Sequence, residues 1–193
     1  VMHDWNNSPT QQHVQSFYMD ETEVTNFMYL EYLQWLKSVF PPTEENYKHI
    51  YAGAVPDTLV WRNRLGYSET MTRNYLRHPS YANYPVVGVN WIQAVEFSSW
   101  RTDRVNEAVL EKNGYLKKNA KTEDVTADKL FSTETYFDAP TQTYGGDDKI
   151  VLKNKNAKSL KENSTKKVNV IEPRNVYAQR STGILLPEYR LPT

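Results

Sequence analysis

Pro85-Val86-Val87-Gly88-Val89-Asn90-Trp91 (PVVGVNW) joins a brief apolar run to a polar residue and then an aromatic one. Apolar residues bounded by Pro85 and Asn90 predict a short buried strand. Asn90 suits an N-cap, because its side-chain oxygen can accept from an N–H that a helix start leaves unpaired. The stretch that follows, WIQAVEFSSWRTDRVNEAV, places Trp91, Ala94 or Val95, Phe97 or Ser98, Arg101 and Val105 at helical spacing. The reading is a strand running directly into a capped helix over residues 90–107, with Ala94 and Ser98 small enough to let another element approach.

Upstream, Thr25-Asn26 opens a second helix, NFMYLEYLQWLKSVF, whose apolar stripe is Leu30, Leu33, Leu36 and Phe40, continued toward its start by Phe27. Pro41-Pro42 ends it. Residues 1–13 read as a polar tail, and HVQSFYMDETEVTN alternates Val14, Ser16, Tyr18 with Gln15, Phe17, Met19 as a short strand would. Between the helices, Tyr47 to Tyr51 predicts a short helix and Thr58 to Trp61 a short strand. Past the second helix, residues 112–170 lose periodicity and gather turn and charge signals, as expected of a long excursion with its own job. Pieces at Val168 to Ile171, Val176 to Ala178 and Gly183 to Leu186 look strand-like, so the chain is expected to rejoin the core and bring Thr193 near the 90–107 helix.

A chain of 193 residues supports one domain with a substantial core. Lysine plus arginine equals aspartate plus glutamate at 23 each, so no global charge steers the chain toward nucleic acid or anionic lipid. Mean hydropathy is -0.73, yet aromatics reach 13%, with 14 tyrosines and five tryptophans, which suits partly buried surfaces and interfaces. Cysteine is absent, which excludes disulfides, thiolate chemistry and Cys-ligated metal within these residues. No apolar run approaches the ~20 residues that cross a bilayer.

The residues offer little catalytic chemistry. His3, His13, His49 and His78 are scattered, without the short spacings of a zinc site. Asp20-Glu21-Thr22-Glu23 could hold a hard cation or serve as an acid and base pair, but lacks the ligand period and central glycine of a calcium loop. Carboxylates just before a helix are favoured by the helix dipole alone, and that structural reading is preferred. Tyr144-Gly145-Gly146-Asp147-Asp148 reads as a turn before an anion nest. Seven lysines and Glu162 lie between Lys149 and Lys167 without interleaved aromatics, a solvated loop rather than a nucleic-acid surface. Asn163-Ser164-Thr165 matches a glycosylation sequon. On these grounds the chain is a soluble α+β domain without a visible catalytic set.

Three patterns in order carry more. DETEVTNFMYLEYLQWL, then YPVVGVNWIQAVEFSSW, then Tyr189-Arg190-Leu191-Pro192-Thr193 resemble the formylglycine-generating-enzyme, or sulfatase-modifying-factor, family. The resemblance implies an α+β, C-type-lectin-related fold, of which residues 14–193 would be the N-terminal half, with insertions at about 43–80 and 108–187. It also implies that Arg190-Leu191-Pro192-Thr193 introduces a further helix, with Thr193 as its cap and the ending a break within the domain.

With its insertions, MDETEVTN, PDTLVW and its aromatic first helix, the chain further resembles gliding-motility lipoproteins of the GldJ or GldK type, GldJ more closely. That implies a noncatalytic structural component of the gliding-motility and type IX protein secretion machinery. It would sit on the periplasmic face of the outer membrane through a lipid anchor upstream of Val1, in a complex with other proteins of that machinery, and would not bind nucleic acid. Family enzymes use cysteines of the second half of the domain to hold copper. Accordingly no residue of this chain is assigned a catalytic, cofactor-binding or metal-binding role. The alternatives are a copper-dependent formylglycine-generating oxidase and a lectin-like binding module.

Overall fold

The computed structural model describes residues 11, 13–62, 65–116, 127–146 and 177–192. Five α-helices carry the fold: α1 (Asn26–Val39), α2 (Lys48–Ala54), α3 (Glu69–Asn74), α4 (Trp91–Lys112) and α5 (Thr133–Asp138). Thr25 caps α1, its side chain accepting from the Met28 N–H, as the sequence predicts. Asn90 caps α4 in a reciprocal box: its side chain accepts from the Gln93 N–H, and the Gln93 side chain accepts from the Asn90 N–H, each at 2.9 Å. The helix runs on to Lys112.

α1 buries Tyr29, Tyr32, Leu33, Leu36 and Val39. The expected stripe is therefore corrected at three places: Phe27 faces solvent at 59% exposure, and Leu30 and Phe40 are half-buried. The turn's inward position at that end is Asn26, which is fully buried and donates through Nδ2 to the carbonyls of Tyr75 (3.1 Å) and Tyr81 (2.9 Å). Tyr29, Tyr32, Leu33, Leu36, Ala54 and Phe97 form one core between α1, α2 and the first half of α4. Its rings are offset or edge-on, with Tyr29 on Phe97 at 5.5 Å and Tyr32 on Trp100 at 5.2 Å.

No strand forms among the described residues, so the α+β expectation is met only loosely. The segment read as a buried strand makes one hydrogen bond on each flank, Val86 N–H to the Val24 carbonyl and Asp57 N–H to the Gly88 carbonyl. Thr25 and Pro85 form an isolated antiparallel bridge. Gly88 then breaks the pleat with φ +83, and a Cβ there would lie 2.2 Å from the Asp57 carbonyl oxygen, so only glycine fits this crossing. Thr58–Trp61, expected as a strand, is a 3-10 turn, because the Asp57 carboxylate accepts from the Leu59 N–H at 2.8 Å and curls the chain. Residues 14–19 and 183–186 also lie outside any strand, lacking a ladder partner.

The excursion after α4 is also corrected. Leu110, Leu116, Phe131, Tyr136, Tyr144 and Ala178 make a second core, which includes α5 and the returning chain. Residues 127–146 and 177–192 are thus part of the folded body, whereas the strand-like Val168 to Ile171, the lysine run, the sequon and Thr193 lie outside the described residues. The return to the 90–107 region is present up to Tyr189, whose N–H donates to Thr102 Oγ1 at 2.9 Å.

Candidate functional site

Helix α4 buries Gln93, Phe97, Thr102, Asn106 and Leu110, a set in which polar residues outnumber apolar ones. The apolar face expected from Trp91 is corrected, since Trp91 and Ile92 are 71% and 62% exposed. Each buried polar residue grips a neighbouring backbone. Gln93 Nε2 donates to the carbonyls of Gly53 (2.7 Å) and Val55 (3.1 Å), fixing the end of α2 against the start of α4. Asn106 accepts from the Leu186 N–H at 2.8 Å and donates to the Leu186 carbonyl at 3.2 Å, so a side-chain amide takes the place of a strand neighbour. Thr102 passes one bond along, accepting from Tyr189 and donating to the Ser98 carbonyl. Arg101 stacks over the Tyr189 ring at 4.2 Å and pairs with Asp20, which ties the acidic Asp20-Glu21-Thr22-Glu23 stretch to α4.

The next turn of α4 holds the second core. Asp103 accepts from the Thr133 N–H (2.8 Å) at the start of α5, and Arg104 donates to the Phe131 carbonyl (2.9 Å) and to Glu107 (2.6 Å). Glu107 also accepts from the Tyr144 hydroxyl. Burial and then the Glu107 carboxylate push the Tyr144 phenol far above its ordinary range, so it stays a donor. Tyr144 takes φ +56 within its turn, a left-handed conformation costly for a side chain this size. The bond to Glu107 and burial in the second core hold it there.

At the start of α4, Val55, Asp57, Val60, Gly88, Val89, Asn90 and Gln93 line a cleft of about 440 Å³. Of its polar members Gln93 is engaged by backbone carbonyls and Asn90 as a cap, while Asp57 accepts from Leu59 through one carboxylate oxygen and is exposed. Of its lining residues Val60 is apolar and 51% exposed, and the residues next to Val60 and Asn90 in the chain, Leu59 at 53% and Trp91 and Ile92 at 71% and 62%, are exposed as well. Such a surface can bind by burying apolar area.

Of the residues singled out from sequence, His13 and His49 are exposed, and His78 accepts from the Ser80 N–H in a local turn. Among the described residues no group of three His, Asp or Glu side chains is placed to hold a metal. Tyr144-Gly145 is the expected turn, with both residues left-handed. Sequence reading missed Asn26, Gln93, Thr102, Asn106 and Glu107, which look like a solvated helix surface. The available signal was the i, i+4 run Thr102-Asn106-Leu110, a polar extension of an inward-facing row.

Comparison with curated proteins and with solved structures finds no match. Among protein families, the sulfatase-modifying factor enzyme 1-like domain (FGE-sulfatase) matches residues 2–193. The match covers nearly the whole chain, which therefore belongs to the FGE-sulfatase domain family.

Proposed function

We propose that this FGE-sulfatase-like domain acts as a noncatalytic structural and interaction component, a scaffold that presents the start of α4 to neighbouring proteins. The observation that carries this reading is an exposed apolar rim at the start of α4: Val60 lines the cleft, Leu59, Trp91 and Ile92 are exposed at the positions next to Val60 and Asn90 in the chain, and the Asn90 and Gln93 side chains of the cleft are engaged within the fold. Desolvating such a rim favours association with another protein surface.

The motifs shared with gliding-motility lipoproteins of the GldJ or GldK type support a finer assignment: a subunit of the gliding-motility and type IX secretion machinery, lipid-anchored at the periplasmic face of the outer membrane. The test is made on the intact protein from its own cells. It is expected to copurify with other proteins of that machinery, to fractionate with the outer membrane, and to leave a cysteine-containing peptide unoxidised when supplied with copper. Robust copper-dependent turnover of the peptide would overturn the scaffold reading in favour of a formylglycine-generating oxidase. Selective, saturable binding on a glycan array would favour a lectin-like module instead.

A further inference from the structure

Residues 13–19 stand apart from every other stretch of the described chain. Val14, Phe17, Tyr18 and Met19 are 67%, 62%, 103% and 68% exposed, and among the described residues none makes a backbone hydrogen bond with residues 13–19. Directly after them Asp20 is clamped by Arg101 of α4, so the segment leaves the body from a fixed root. Its sequence alternates, with Val14, Ser16 and Tyr18 on one side and Gln15, Phe17 and Met19 on the other. A strand-patterned segment with unpaired N–H and C=O groups is a template for another strand.

We propose that this segment pairs antiparallel with the same segment of a second copy of the chain, forming a two-fold symmetric ribbon centred on Phe17. Self-pairing is favoured by the charge pattern. Residues 14–19 carry no charge, so two copies meet without repulsion, and Asp20 is already matched by Arg101. The register centred on Phe17 sets Ser16 opposite Tyr18, Gln15 opposite Met19, Val14 opposite Asp20, and His13 of each copy opposite Glu21 of the other, and both His13 and Glu21 are exposed. Each pair shares a face, so the two Phe17 rings meet at the centre of the ribbon with Met19 of each copy diagonal to Phe17 of the other. A two-fold pairing through one edge of each segment is isologous and joins two copies into a dimer. A two-stranded ribbon is marginal in water, so the dimer belongs to concentrated solution.

Sedimentation velocity over a concentration series tests this, with amide exchange read at residues 14–19. The expected result is a concentration-dependent shift to twice the monomer mass, with exchange at 14–19 slowing in parallel. Phe17→Pro removes a ladder donor and is expected to abolish the dimer, while leaving the thermal midpoint of the monomer unchanged because Phe17 is exposed and makes no hydrogen bond to the described body. Glu21→Lys is expected to weaken the dimer by setting lysine against His13. A monomer at all concentrations, or a dimer indifferent to Phe17→Pro, overturns the proposal; indifference to Glu21→Lys overturns the Phe17-centred register.

Discussion

Replacing Asn106 with leucine removes the donor and acceptor that pair with both backbone groups of Leu186, leaving those part-buried groups beside an apolar side chain. The expected cost is about 2–4 kcal/mol, read as a lowered denaturant midpoint at unchanged slope. Gly88→Ala is expected to destabilise by at least ~2 kcal/mol, because the left-handed φ and the carbonyl of Asp57 oppose a Cβ together. The two residues differ in how far sequence reveals them. Gly88 sits in an apolar run whose only interruption it is, so a special backbone is legible. Asn106 lies among Arg104, Glu107 and other polar residues, and nothing in hydrophobic patterning separates an amide that grips a loop from one that meets water.

At the scale of elements, the caps and helix starts were legible because Thr25 and Asn90 act through bonds to their own next turn. The strands were misread because a strand is defined by its neighbours. Val86 and Gly88 each find one backbone partner, and residues 14–19 find none, so alternation alone produced no ladder. The α1 and α4 packing also carries a pH signature. Burial, and then Glu96, raises the Tyr32 phenol to about 12 from an ordinary 10.0, and burial raises Tyr29 further. The unfolded chain thus loses these protons first as pH rises, so stability is full below pH 10 and falls as pH climbs through 10 to 12. Thermal midpoints between pH 8 and 12 check this, and Tyr32→Phe is expected to flatten the decline.

In the whole molecule, α4 spans two cores, Phe97 in the first and Leu110 in the second, with backbone-gripping polar side chains between. That division was hidden in the sequence because the second core draws Leu116, Phe131, Tyr136, Tyr144 and Ala178 from stretches without periodicity. Phe131→Ala is expected to cost about 3–5 kcal/mol and, in hydrogen exchange, to release residues 127–146 while α1 and the first turns of α4 stay protected. Because the second core includes Leu110, Phe131 and Tyr136, removing this region would test folding more than partners, so binding must be probed by surface substitutions. The most direct measurement is quantitative recovery of partner proteins with the intact protein from its own cells, comparing the Trp91→Ser, Ile92→Ser double variant with a Tyr67→Ser control that is also exposed. Loss of partners from the double variant, at normal abundance and with the control unaffected, is the expected result; equal recovery from all three proteins would contradict a scaffold that binds through the start of α4.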